Sequence, residues 1–321
     1  MSPLKPRASV VVPALPGDSR VAACLGALSA QTIRGELELV LSLDGSKRSS
    51  AEELADRVVR GPQAGPATAR NRGWRAAAAG VILFTDADCV PRRDWAQRML
   101  QALDGGAAAV KGVYSGGGQA LIQRLAQVEF EERYAILSRG DSIDMVDTYS
   151  AGYRREALEA VGGFSEDFPV PDHEDVDLSY RLAAAGYRMA LAPEAAVAHT
   201  HPATWRAYAR QKFSRGRWRM RVVRAHPRRA SGDGYTPLAM RLQILLAAAF
   251  LPVAAASLAL AWLPPAYLSL WLLTSLPLAY VAVRRDPGVA ALVPVFALVR
   301  AFSLFSGLFA GLCREAPCLR R

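Results

Sequence analysis

Between Leu242 and Val283 the chain carries no charged residue, while every earlier stretch of similar length carries several. A helix needs about 20 apolar residues to cross the hydrocarbon core of a bilayer, so this run is long enough to go across and back. Residues 242–263 and 266–283 are the two expected spans, with Pro264-Pro265 marking the turn between them. A further apolar stretch, 288–312, is interrupted by Arg300. A charge at mid-membrane costs about 2.5 kcal/mol or more, so this stretch is expected to span, to lie in the interface or to pack against the soluble domain. The two parts of the chain face different solvents.

The net charge of +10 is concentrated next to that tail. No acid occurs between Glu194 and Asp233, whereas nine arginines and Lys212 fall there, from Arg206 to Arg229. In that position basic residues favour anionic lipid headgroups, at roughly 1 kcal/mol per residue near the surface. With Trp205, Phe213 and Trp218 as interfacial anchors, 205–223 reads as an amphipathic helix lying on the membrane. Membrane lipids are thus the expected partner and nucleic acid is not, since that would call for aromatics among arginines on an exposed sheet or groove. Arg284 and Arg285 follow the second span. Basic residues on both flanks predict a multi-pass protein of the inner, cytoplasmic membrane with its soluble part in the cytoplasm. The expected domains are a soluble α/β domain at 1–204, a basic amphipathic linker at 205–240 and a membrane domain at 241–321.

The cysteines (Cys24, Cys89, Cys313 and Cys318) have neither disulfide-framework nor zinc-site spacing; a Cys313–Cys318 pair is open to the chain, but a reduced compartment is the simpler expectation. The opening apolar run, Ser9 to Pro13, is too short for the core of a signal peptide, so no export is expected.

Within the soluble part, apolar runs alternate with helical patterns. Ser9 to Pro13 reads as a buried strand, and Val21, Cys24, Leu25 and Leu28 then share one helix face. A second strand, 37–43, stops at Asp44-Gly45-Ser46; helices are expected near 51–59 and 67–79; a third strand, 81–85, runs into Asp86-Ala87-Asp88. Helices are also expected at 121–137 and 175–185. Strands alternating with helices give a mostly parallel sheet covered on both faces. Ligands of such sheets lie beyond the carboxyl ends of the strands, where Pro13, Asp44 and Asp86 all fall.

The chemistry-bearing residues cluster in that frame. Two carboxylates as close as Asp86 and Asp88 repel each other unless a cation lies between them, and Mg²⁺ or Mn²⁺ shared with substrate phosphates answers that need. On its own the tripeptide equally serves as a helix cap. At Ala69-Arg70-Asn71-Arg72-Gly73 an ordinary basic helix competes with a role for Arg70 near a diphosphate. Glu174 and Asp175 open a helix, where acids meet the helix dipole favourably; the sharper reading makes Asp175 a base for an acceptor hydroxyl. Of His199 and His201, which cannot easily face one site together, His199 is the candidate for a metal or phosphate contact.

Taken together these motifs resemble family 2 glycosyltransferases of the GT-A fold, over about Ser9 to Trp218. The matching elements are Val10-Val11-Val12-Pro13, the Asp44-Gly45-Ser46 turn, Ala69 to Gly73, Asp86-Ala87-Asp88, Gly162-Gly163-Phe164 and Glu174 to Leu178. The resemblance implies a membrane-anchored, metal-dependent, inverting glycosyltransferase of the hexosyltransferase type. Pro13, Asp44, Arg70, Asp86 and Glu174 would bind the nucleotide sugar, Asp88 and His199 the Mg²⁺ or Mn²⁺ ion, and Asp175 would be catalytic. A lipid-linked acceptor is expected from placement beside a membrane. Departures occur at Pro13-Ala14-Leu15-Pro16, where the family usually has a Thr-Tyr-Asn-like stretch, and at Ala151-Gly152-Tyr153-Arg154-Arg155, where many members have Gly-x-Asn. Gln211 to Trp218 is similar to the Gln-x-x-Arg-Trp signature of processive members, but with the wrong spacing. A membrane partner that binds a nucleotide sugar without turnover is the alternative, which loss of Asp88 or Asp175 would have favoured. A nucleotidyltransferase would offer a Gly-rich phosphate loop with a lysine near the N-terminus, and none occurs.

Overall fold

A computed structural model describes residues 5–168, 170, 172–229 and 233–313. They divide into two compact units, one of residues 5–116 and 137–200, the other of 117–136 with 201–313. Cys318 and its potential pairing with Cys313 lie outside the described residues.

The first unit is built on eight strands: β1 (Ala8–Ala14), β2 (Leu37–Asp44), β3 (Arg57–Gly61), β4 (Val81–Thr85), β5 (Cys89–Pro91), β6 (Ala109–Tyr114), β7 (Ser150–Arg154) and β8 (Met189–His199). They form one sheet in the order β3-β2-β1-β4-β7-β6-β8-β5. The β3-β2-β1-β4 half is parallel, as is β6 with β8, while β7 runs antiparallel to both neighbours and β5 antiparallel to β8. Every residue of β2 is buried, as expected of a strand covered on both faces. The helices of this unit are α1 (Val21–Ser29), α2 (Pro66–Ala76), α3 (Trp95–Asp104), α5 (Arg155–Ala160) and α6 (Glu174–Ala184), with α4 (Leu121–Leu137) lying almost wholly in the second unit.

The helix expected near 51–59 is replaced by a single 3-10 turn, Glu52–Leu54, and strand β3. The ladder to β2 decides this. Val58 and Val59 pair with Leu41 and Ser42, and Asp56 accepts the Leu39 N–H at 2.8 Å while holding Arg34. Cross-strand pairing of β-branched residues outweighs local helical periodicity here.

Register brings the strand ends together. Ala14 pairs with Leu43 and Val11 with Phe84, so Pro13, Asp44 and Asp86 reach the same carboxyl edge of three adjacent strands.

The second unit holds α4, α7 (Trp205–Ala225), α8 (Leu238–Ala256), α9 (Leu263–Arg285) and α10 (Val293–Cys313). Three of its segments are long and apolar enough to cross a membrane: Leu238–Ala256, Leu263–Arg285 and Pro287–Cys313. Pro264 and Pro265 sit in the first turn of α9, where their missing N–H groups have no intrahelical partner to lose. Arg300 of α10 is buried, not presented to lipid: Nη2 donates to Gln243 Oε1 at 2.9 Å, and Nη1 lies 4.0 Å from Glu129 Oε1. Glu129 in turn accepts from Lys212 at 2.8 Å, Arg133 at 2.5 Å and the Tyr208 hydroxyl at 2.7 Å. Burial opposes its charge, but Lys212, Arg133 and Arg300 hold its carboxyl well below the usual range.

Candidate active site

Helix α2 shows how one short motif builds several parts of the site. Gly73 lets the helix approach β1 closely, since a Cβ there would lie 2.4 Å from the Val11 side chain. Asn71 faces the other way and pins the Gly162-Gly163-Phe164 turn: it donates to Phe164 O at 2.8 Å and accepts the Phe164 N–H at 3.0 Å. Both glycines of that turn have positive φ, 78° and 75°, which explains the pair. Arg72 donates to Leu43 O at 2.8 Å, fixing α2 to the end of β2.

Arg70 points into the site and is 3% exposed. Nη1 donates to Glu174 Oε1 at 2.6 Å and Nη2 to Asp86 Oδ1 at 2.8 Å. One buried guanidinium therefore joins the end of β4 to the start of α6. Burial pushes the Glu174 carboxyl up to about 7, against the attraction of Arg70 and with the Asp175 carboxylate adding to the rise. Three acids near one buried cation cannot all be compensated by it.

Asp175 follows on the first turn of α6, half-buried, its Oδ1 accepting the Val176 N–H at 2.8 Å. The residue before the helix, His173, holds a left-handed backbone at φ 70°, a conformation uncommon for non-glycine residues and often found at functional sites. The adjoining Tyr153 ring is fully buried between Phe84 and Phe164, and its hydroxyl is among the buried side-chain atoms without a hydrogen-bond partner.

On β2, Asp44 is 6% exposed and accepts the N–H groups of Ala64 at 2.8 Å and Gly65 at 3.0 Å. Its carboxylate thus shapes the loop into α2. Pro13 lies in β1, half-buried, one residue before the strand ends.

Beyond β4 the chain turns directly into β5, and β5 pairs with β8 so that Cys89 stands opposite His199. This pairing carries His199 to Asp88: Nδ1 lies 3.6 Å from Asp88 Oδ1 and 4.0 Å from Cys89 Sγ. The His199 ring stacks on Tyr114 at 4.9 Å, and Tyr114 on Tyr149 at 3.6 Å, which holds the plane of the imidazole. His201 belongs to the second unit, where its ring stacks on Phe130 and Nε2 lies 3.0 Å from Gln127 Oε1.

Asp88, Cys89 and His199 offer ligand atoms within 4.8 Å of one another. Burial pushes the Cys89 thiol up, with Asp86 and Asp88 adding to the effect. Burial also opposes the charge on Asp88, but His199 and then Arg20 outweigh it and hold that carboxyl below its usual range. The Asp88 carboxylate and the His199 imidazole can both serve Mg²⁺ or Mn²⁺, with the Cys89 sulfur beside them.

The sequence reading did not assign Arg20 and Asp18, although both fall just past the end of β1, where ligands of such sheets lie. Arg20 Nη1 donates to Asp88 Oδ2 at 2.9 Å.

Comparison with known proteins places the chain among glycosyltransferases. A family model described as glycosyltransferase like family 2 matches residues 6–220. The pre-mycofactocin glycosyltransferase of Mycobacterium tuberculosis is 32% identical over 171 residues, covering 51% of this chain and 36% of that protein's length. The chain thus spans about a third of the length of that curated relative. The glycosyltransferase AglE of Haloferax volcanii is 25% identical over 222 residues, 63% of this chain and 69% of that one. Among solved structures, the mannosyltransferase PcManGT from Pyrobaculum calidifontis, in complex with GDP-Man and Mn²⁺, aligns at TM-score 0.61 with 22% identity. That alignment covers 96% of this chain and 88% of the other, and shows a shared fold.

Proposed function

The chain belongs to glycosyltransferase family 2, with a GT-A fold, and within that family we propose that it moves a sugar from a nucleoside-diphosphate donor to an acceptor hydroxyl with inversion at the anomeric carbon. The observation that carries this reading is the meeting, at one sheet edge, of the Asp88–His199 pair with the Asp86–Arg70–Glu174 chain that leads to Asp175.

In this reading the roles follow from position. Pro13 and Asp44, at the ends of β1 and β2, line the place of the nucleoside. Arg70 holds Asp86 and Glu174 in place toward the diphosphate and sugar. Asp88 and His199 would hold a Mg²⁺ or Mn²⁺ ion, which when bound supplies neutralisation of charge on the leaving diphosphate. Asp175 takes the proton from the acceptor hydroxyl as its oxygen bonds to the anomeric carbon and the bond to the diphosphate oxygen breaks. The proton ends on Asp175 and the electron pair on the leaving group. One protein carboxylate is enough for proton transfer, and direct attack from its side inverts the centre.

The three apolar segments and the basic α7 support a catalytic unit at the cytoplasmic face of a membrane and a lipid-linked acceptor. Purified protein offered a panel of nucleotide sugars, with lipid-linked and soluble acceptors, is expected to release nucleoside diphosphate from one donor only when Mn²⁺ or Mg²⁺ is added. Absence of metal-dependent release from any donor would sink the reading. Transfer confined to soluble acceptors would remove the lipid-linked part alone.

A further inference from the structure

Arg20 closes the first turn before α1 and reaches directly into the metal candidate. Its guanidinium forks onto Asp18, Nε donating to Oδ1 at 2.9 Å and Nη2 to Oδ2 at 2.8 Å. The Arg20 backbone N–H donates to the same Asp18 Oδ1 at 3.0 Å. The remaining nitrogen, Nη1, donates to Asp88 Oδ2 at 2.9 Å. Asp88 is therefore divided: one oxygen serves Arg20, and the other faces His199 Nδ1 at 3.6 Å and Cys89 Sγ at 3.8 Å.

The exposures decide how permanent this is. The Asp18 side chain is 15% exposed and Asp88 26%, but that of Arg20 is 61% exposed. The acids are held by the fold, while the mostly exposed guanidinium can swing, provided an anion replaces the hydrogen bonds it gives up at Asp88 and Asp18. Two cations on the two oxygens of one carboxylate repel each other, although solvent and Asp18 reduce the effect. A phosphate group is the natural alternative partner for a guanidinium, whose planar fork matches two phosphate oxygens.

We propose that Arg20 couples cation and donor binding: it serves as the counter-ion of Asp88 until a diphosphate draws its guanidinium away, so that a divalent cation binds tightly only together with the diphosphate. The proposal rests on Asp88 and His199 being the metal site of the proposed transferase. Coupling of this kind is reciprocal, so the cation tightens diphosphate binding by the same factor. It would keep Asp88 from being occupied by a cation without a substrate.

Mn²⁺ binding to the full-length protein in detergent can be followed by loss of the free-ion EPR signal, alone and with saturating UDP, GDP or dTDP. In the wild type, one nucleotide is expected to tighten Mn²⁺ binding by about tenfold or more, or 1.4 kcal/mol. In Arg20→Gln, Mn²⁺ alone should bind severalfold more tightly than to the wild type, and the nucleotide enhancement should shrink. Arg20→Lys, which keeps the charge, should return Mn²⁺ affinity toward the wild-type value. An Arg20→Gln protein that binds Mn²⁺ alone no more tightly than the wild type overturns the coupling, as does Arg20→Lys behaving like Arg20→Gln. If the wild type and Asp88→Ala bind Mn²⁺ equally with every nucleotide, the metal-site reading itself fails. If Asp88→Ala loses binding while Arg20→Gln matches the wild type, only the coupling fails.

Discussion

Arg70 is a buried cation serving two carboxylates from different elements, and Glu174 is the more deeply buried of the two. Removing one partner of a buried charge pair leaves the other uncompensated, so Arg70→Met is expected to lower stability by about 3–5 kcal/mol in denaturant or thermal unfolding. A loss below about 1 kcal/mol would mean the acids are satisfied without it. The same cluster sets a pH dependence. The Glu174 carboxyl rises from 4.5 to about 7 on folding, so the folded state binds its proton more tightly. The stability it contributes is complete below about pH 4.5 and is lost as pH rises toward about 7. Between about pH 5 and about pH 7.5 the wild-type melting temperature should therefore fall relative to that of Glu174→Gln, which cannot titrate. Parallel slopes for the two proteins would contradict burial as the cause.

Among the helices, α7 and α10 come together closely at glycines, beside side-chain contacts such as Tyr208 on Phe296 at 4.8 Å. A Cβ on Gly216 would lie 2.3 Å from Leu304 O, and one on Gly307 would lie 2.1 Å from Phe213 O. Backbone cannot move aside as a flexible side chain can, so Gly307→Ala should cost about 1–3 kcal/mol through overpacking. Gly17→Ala, with nothing within 4 Å, is the control expected to change little in a detergent thermal-shift assay. Equal melting temperatures for the two variants would contradict the close packing. That contact was not legible in the sequence, because Gly307 and Gly311 look like ordinary small residues in an apolar run until α7 is laid against them. Local signals did foretell the parallel strands, α2, α4, α6 and the edge where Asp44 and Asp86 lie. They misread 51–59, because β3 exists through its ladder to β2 and not through its own pattern. Arg300 looked like a defect in a span since its partners, Gln243 and Glu129, are 57 and 171 residues away along the chain. Asp88 and His199 were legible as residue types, but their pairing depends on the register of β5 with β8. Arg20 was missed because a basic residue before a helix carries no local signal of what it will reach.

The molecule joins a sheet-based unit, carrying every candidate donor and metal residue, to a helical unit with three segments long enough to cross a bilayer. A chain of this kind is expected to stay with the membrane fraction through an alkaline carbonate wash; release into the supernatant would contradict spanning by those segments. Asp175 as the base of the transfer reaction is tested by replacing its carboxylate with an amide of the same shape. Asp175→Asn should bind the donor and Mn²⁺ nearly as the wild type does, measured by calorimetry. Its rate of sugar transfer under saturating donor and acceptor should be lower by about 10²–10⁴-fold, the usual contribution of a general base. Transfer by Asp175→Asn at close to the wild-type rate, with donor binding intact, would contradict the assignment.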